Sequence, residues 1–216
     1  MNVLIVGANG TTGNILVEKL GKSREHKAVA MVRKEEQKAK MEQLGADEIV
    51  IADLEKDIEH AVKGMDAVIF AAGAGSKTGP DKTYAVDQEG AKQLVNQAEK
   101  HGVKRFVMLS SIGAGNPVAT SDQNMKVYLE AKGSADEYLQ KSSLSYVIVR
   151  PGPLSNDAEN GQIEAKEKIE DMKDRSIPRA DVANVLIESL TNEHVTNKTF
   201  EILSGERHIE EALESM

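Results

Sequence analysis

Apolar residues fall along this chain in short uninterrupted runs, separated by longer stretches in which they recur at helical spacing. The runs at residues 3–6, 28–32, 48–52, 67–72, 105–109 and 146–149 read as strands. They are continuous rather than alternating, which suits a parallel sheet covered on both faces. Between them the apolar period predicts helices over 12–20, 35–44, 57–63, 82–100 and 124–141. Gly21, Gly45, Gly64 and Gly102 stand where such helices close. Regular alternation of strand and helix implies right-handed crossovers and an α/β fold built on a doubly wound parallel sheet. The rhythm breaks after Pro151. Residues 151–161 are rich in turn formers, 162–168 alternate weakly as an edge strand, 179–190 form a helix entered just after Pro178, and 198–203 form a final strand. The tail, 208–216, reads as a solvated terminal helix. The expected organisation is one domain over 1–216, with about 151–216 as a small C-terminal extension on the substrate side.

Composition narrows the function classes. At 216 residues with 40% apolar content, the chain can bury a core without a staple. Aromatic residues make up only 3%, with no Trp, so aliphatic side chains must fill that core. The same scarcity removes the stacking platforms that single-stranded nucleic acids need. A net charge of −8 also argues against a phosphate-backbone partner, although it permits a local basic pocket. The absence of cysteine excludes disulfides, thiolate metal sites and cysteine nucleophiles. The five histidines are scattered without ligand spacing and no carboxylate cluster joins them, so no metal site is expected. No apolar run nears the ~18 residues of a membrane span, and no signal peptide precedes Val3. A small-molecule substrate is the expected partner, with neither nucleic acid nor membrane, in the cytoplasm. The oligomeric state stays open.

The candidate chemistry begins at once. In "VLIVGANGTTGNIL" the first strand runs into Gly7, Gly10 and Gly13, and helical spacing then resumes. A phosphate pair can rest on a helix N-terminus only where backbone can approach it, because a Cβ would intrude and free N–H groups favour negative charge. Gly7 would make the tight turn, Gly10 would admit the pyrophosphate, and Gly13 would let helix and strand pack closely. Asn9, Thr11 and Thr12 fill the same turn. Three glycines between the first buried strand and the first helix point to a dinucleotide. At the end of the second strand stand Arg33 and Lys34 rather than a carboxylate, which favours NADP(H) over NAD(H) through contact with a 2′-phosphate. Alternatively, both merely begin a solvated helix, with Glu35 and Glu36 close enough to neutralise them.

Taken together, "VGANGTTG", "VR" at 32–33, "ADL" at 52–54, "AAGAG" at 71–75, "MLSSIGA" at 108–114, "YLEAK" at 128–132, "VRPGPL" at 149–154 and "PRADVA" at 178–183 resemble the short-chain dehydrogenase/reductase superfamily. More narrowly, they are similar to its atypical NAD(P)-binding branch, small Rossmann proteins related to the epimerase/dehydratase group. The resemblance spans nearly the whole chain. It implies that Asp53 and Leu54 lie against the adenine, with a helix cap as the plainer role for Asp53. It also implies that Ala71, Ala72 and Gly73 leave room for a ribose, and that Pro151 and Pro153 shape the loop facing the carboxamide. Tyr128 and Lys132 share a helix face one turn apart. In the superfamily such a lysine binds the nicotinamide ribose and lowers the tyrosine pKa, so that the phenol can move a proton. Ser110 and Ser111 follow the fifth strand, where Ser110 would meet the cofactor and Ser111 would polarise a substrate oxygen. Ile112 stands where extended members of the superfamily often carry a third hydroxyl, and both serines could instead bond the loop backbone. The other rim of the site is expected over 75–90. There Tyr84 and Asp87 either face the cofactor or serve respectively as packing and surface residues. The implied activity is hydride transfer with a small carbonyl, quinone or similar acceptor. The alternatives are an NADP(H)-occupancy sensor without turnover and, weakened by the short C-terminal region, a sugar epimerase or dehydratase.

Overall fold

A computed structural model describes residues 1–75 and 79–216. Its centre is a sheet in which β1 (Asn2–Val6), β2 (Lys27–Val32), β3 (Glu48–Ile51), β4 (Ala67–Phe70), β5 (Arg105–Leu109) and β6 (Tyr146–Pro151) are all parallel. Beyond β6 the sheet continues through β10 (Lys198–Ser204), also parallel, then antiparallel through β8 (Gln162–Lys166) and β11 (Arg207–His208). The order is β11-β8-β10-β6-β5-β4-β1-β2-β3. The doubly wound Rossmann-like sheet is therefore present. Its order reverses between β4 and β1, the switch point at whose carboxyl side such sheets bind ligands. Two short strands, β7 (Leu154–Ser155) and β9 (Ile177–Pro178), pair apart from it.

The uninterrupted apolar runs are explained by cover on both faces. From β1, Val3 and Ile5 pack on one side with Leu16, Val17 and Leu20 of α1 (Thr11–Gly21), Met41 of α2 (Lys38–Gln43), and Val182, Val185 and Leu186 of α7 (Arg179–Glu188). Leu4 and Val6 pack on the other with Val62 of α3 (Glu59–Val62), Leu94 and Val95 of α5 (Ala91–Lys100) and Leu139 of α6 (Gln123–Gln140). Phe70, Phe106 and Phe200, the only phenylalanines, are fully buried among these aliphatics.

Several expectations need correction. The helix predicted over 82–100 is divided into α4 (Pro80–Thr83), a π-helical turn over Tyr84–Gly90, and α5. Gly45, Gly64 and Gly102 take positive φ, as C-terminal glycines do, but Gly21 does not. Gly21 is needed because a Cβ there would overlap the Gly45 backbone, so α1 meets the α2–β3 turn closely. The strand over 162–168 is not an edge, since β11 pairs outside it, and β10 is not the final strand. The tail helix, α8 (Ile209–Glu214), is not merely solvated, because Ile209, Ala212 and Leu213 are buried in the core. Of the rim expected over 75–90, residues 76–78 lie outside the described residues.

Candidate cofactor and active site

Gly7 makes a tight turn and Gly13 a close backbone contact. Gly7 has φ +90°, and a Cβ there would lie 2.6 Å from the Ala72 backbone, so β1 leaves the sheet directly against the end of β4. A Cβ on Gly13 would overlap the Gly7 carbonyl oxygen and come within 2.8 Å of its carbon. Gly10 is the N-cap of α1, with no side-chain cap, and its N–H donates to the Gly7 carbonyl at 2.9 Å. The Asn14 amide closes the turn from inside by donating to the carbonyls of Ala8 and Gly10. With no acidic residue in its first turn, α1 presents bare backbone and positive dipole at the switch point. These features fit a dinucleotide's phosphates. Thr12 is buried, while Asn9 and Thr11 are exposed. The Asn9 side-chain oxygen accepts from Lys40 of α2 at 3.3 Å.

Arg33 and Lys34 follow β2 in the open. Glu35 pairs with Lys38 at 2.7 Å rather than with Arg33, and among the described residues the Arg33 guanidinium makes no ion pair. Asp53 does not cap α3: it accepts from the Glu55 N–H at 3.1 Å, while Asp57 accepts from the Glu59 N–H at 2.9 Å. Leu54 packs so closely on Gly90 that a Cβ there would sit 2.9 Å away. Ala71, Ala72 and Gly73 run out from β4 along the Gly7 turn. Pro151 ends β6 and its carbonyl accepts from Ile112, while the Pro153 carbonyl accepts from Ile177.

The other half of the site hangs from α6. Asp122 starts this helix by accepting from the Met125 N–H at 2.9 Å. The loop after β5 is laid along α6 because Gly133 lets it come close, and the Gly115 N–H donates to the Leu129 carbonyl at 2.9 Å. Tyr128 is half-buried on this face. Lys132, one turn on, lies with Nζ 5.7 Å from the Tyr128 ring centre. The Lys132 ammonium is buried under the carboxyl ends of β4 and β5. It donates to the carbonyls of Leu109 at 3.2 Å and Ala72 at 3.4 Å, and lies 3.1 Å from Asp87 Oδ1. Burial alone would depress its pKa, but Asp87, Tyr128 and Asp136 together hold it above the ordinary lysine value.

The serines take other partners. Ser110 Oγ donates to Asp136 Oδ2 at 2.7 Å, and that same oxygen accepts from Arg150 at 2.9 Å. Burial raises the Asp136 carboxyl pKa, opposed by Arg150, Ser110 and Lys132. Ser111 Oγ donates to the Ile112 carbonyl at 3.2 Å. Two features escape sequence reasoning. Asp87, expected either to face the cofactor or to lie on the surface, is a buried charge paired with Lys132, and Gly133 is the seat of the β5 loop. A lone aspartate between half-apolar neighbours carried no signal for the first, while a glycine in mid-helix was a readable sign of the second.

A mostly parallel sheet with a bare-backbone glycine turn at its switch point defines a dinucleotide-binding α/β protein. The chain belongs to the NAD(P)H-binding family, whose sequence model matches residues 7–193. It is 42% identical to the Bacillus subtilis protein named "Uncharacterized sugar epimerase YhfK", covering all of both chains. A solved structure from Bacillus halodurans, provisionally designated an NAD-dependent epimerase/dehydratase, is 45% identical over the full length of both, with a TM-score of 0.95. The sanguinarine reductase of Eschscholzia californica is 29% identical, covering 98% of this chain and 92% of its own. The protein thus sits in an NAD(P)-binding family of oxidoreductase- and epimerase-like members. Among the described residues no helix is long and apolar enough to cross a membrane, and no group of three or more potential ligands could hold a metal ion.

Proposed function

We propose that the protein is a cytoplasmic NADP(H)-dependent oxidoreductase of the atypical short-chain type, acting on a small carbonyl, quinone or similar acceptor. The observation that supports this reading is Lys132, bonded to the Ala72 and Leu109 carbonyls at the carboxyl ends of β4 and β5, with the Tyr128 ring 5.7 Å from its ammonium. Gly7, Gly10 and Gly13 would seat the pyrophosphate, with Asn9, Thr11 and Thr12 around it. Arg33 and Lys34 would receive the 2′-phosphate, the unpaired guanidinium being suited to planar two-point contact. Asp53 and Leu54 would border the adenine, and Ala71, Ala72 and Gly73 the ribose. Pro151 and Pro153 would shape the carboxamide end.

When bound, the nicotinamide supplies or accepts the hydride. The half-buried Tyr128 phenol would give or take the accompanying proton, and Lys132 would keep a positive charge beneath it. Residues 151–216 would form the substrate side of the same domain.

A second reading, an NADP(H)-occupancy sensor without turnover, is favoured by the serines: Ser110 is bonded to Asp136, Ser111 to a loop carbonyl, and Ile112 brings no hydroxyl. Calorimetric titration with NADPH and NADH, repeated on Arg33→Ala, tests the cofactor. Selective NADPH binding that falls about tenfold or more in the variant is expected, a loss of about 1.4 kcal/mol. Equal or stronger NADH binding would overturn the Arg33 assignment. Acceptor screening against Tyr128→Phe then separates enzyme from sensor.

A further inference from the structure

Asp87 is almost wholly enclosed: its side chain is 1% exposed and that of its partner Lys132 4%. It reaches this position from the π-helical turn, which packs on both α6 and α5. Such widened turns are rare, and they recur at functional sites.

The two side chains hold one short piece of backbone between them. Lys132 donates to the Ala72 carbonyl, and Asp87 Oδ2 accepts from the Ala74 N–H at 2.9 Å. On its other side the same loop lies against Gly7, with no room there for a Cβ. Asp87 Oδ1 faces the ammonium at 3.1 Å in a buried ion pair.

We propose that Asp87 and Lys132 work as one buried unit, fixing the cleft wall at the end of β4 and keeping positive charge beneath it. Asp87 is then a positioning residue for the dinucleotide, which it need not touch. This rests on the cofactor reading above.

The titratable groups facing Lys132 are Asp87 from the π-helical turn and Tyr128 and Asp136 from α6, with Arg150 of β6 paired behind Asp136. The Phe70 ring on β4 adds an uncharged face 5.5 Å away. Removal of the Asp87 charge takes away the nearest counter-charge, and the burial that remains favours a neutral lysine. The ammonium would then be lost as pH rises through the lowered pKa.

The test is calorimetric titration of the parent, Asp87→Asn, Lys132→Met and the double variant, from about pH 6 to about pH 9, a range below the ordinary lysine pKa. The probes are NADPH and adenosine 2′,5′-bisphosphate, the latter reporting the adenosine half alone. For Asp87→Asn, the NADPH affinity relative to the parent should fall about tenfold or more across this range, while relative bisphosphate affinity holds constant. A loss equal at every pH would mean plain packing and would overturn the proposal, as would no loss. Should Asp87→Asn fail to fold, the double variant, which buries no lone charge, decides. It should bind NADPH as weakly as Lys132→Met, and either parental binding or a further tenfold loss overturns the coupling. A parent that binds neither probe would instead sink the cofactor reading itself.

Discussion

Gly13→Ala separates two opposite expectations. On an isolated helix the change should stabilise by about 1 kcal/mol, because alanine is the better helix former. Here the new methyl would overlap the Gly7 carbonyl and press on the Ala8 backbone, which is the glycine turn itself. Backbone cannot rotate aside as a side-chain tip can, so the cost lies near the top of the usual overpacking range of about 1–3 kcal/mol. Set against the propensity gain, a net loss of about 2 kcal/mol is expected. For a chain of this size that corresponds to a fall of roughly 4–8 °C in Tm. Gly10→Ala is the control. Its φ of −74° suits any residue, and its methyl would meet only the Gly7 oxygen, at 3.2 Å. It should cost less than about 1 kcal/mol in stability, yet weaken NADPH binding about tenfold or more, because the methyl occupies the space above a bare helix end. Urea unfolding and calorimetric titration read the two effects separately. A more stable Gly13→Ala, or a Gly10→Ala that binds NADPH like the parent, would refute this account of the turn.

Two further outcomes follow from buried charges. Arg105, at the amino end of β5, donates to the carbonyls of Leu190 and Asn192 and the hydroxyls of Ser145 and Thr196, far from the cleft. Arg105→Leu should therefore cost about 2 kcal/mol or more in urea unfolding while leaving NADPH affinity unchanged, and a changed affinity would contradict that separation. Asp136 carries a folded-state pKa raised by burial. Its contribution is complete below the ordinary aspartate value of about 3.9 and is lost as pH rises through the raised one. Asp136→Asn should remove that decline from the pH dependence of the urea midpoint. Parallel parent and variant curves would show that the residue does not titrate this way.

The strands and their direction were legible because cover on both faces demands uninterrupted apolar runs, and Val3 to Val6 meets that demand without exception. The glycine turn was legible for the same reason: close backbone approach leaves a mark in the sequence. Asp87 was not. Its burial depends on a widened turn and on Lys132 arriving from another helix, and neither alters the local pattern. The tail was misjudged although Ile209, Ala212 and Leu213 stand at i, i+3 and i+4, because short amphipathic segments at chain ends resemble solvated ones. Ser110 and Ser111 were visible as hydroxyls, but which way each would turn was decided by Asp136 and the Ile112 carbonyl.

The two-residue β11 has a consequence for how the molecule behaves among its own copies. A sheet of this breadth ends in rows of unpaired backbone donors and acceptors, which are templates for adding strands from other chains. One end is β3, only four residues long. At the other, β8 would offer a five-residue border, and β11 occupies it for just two residues before α8 folds back across β8. The last ten residues thus cover part of the border on which a further strand could otherwise pair.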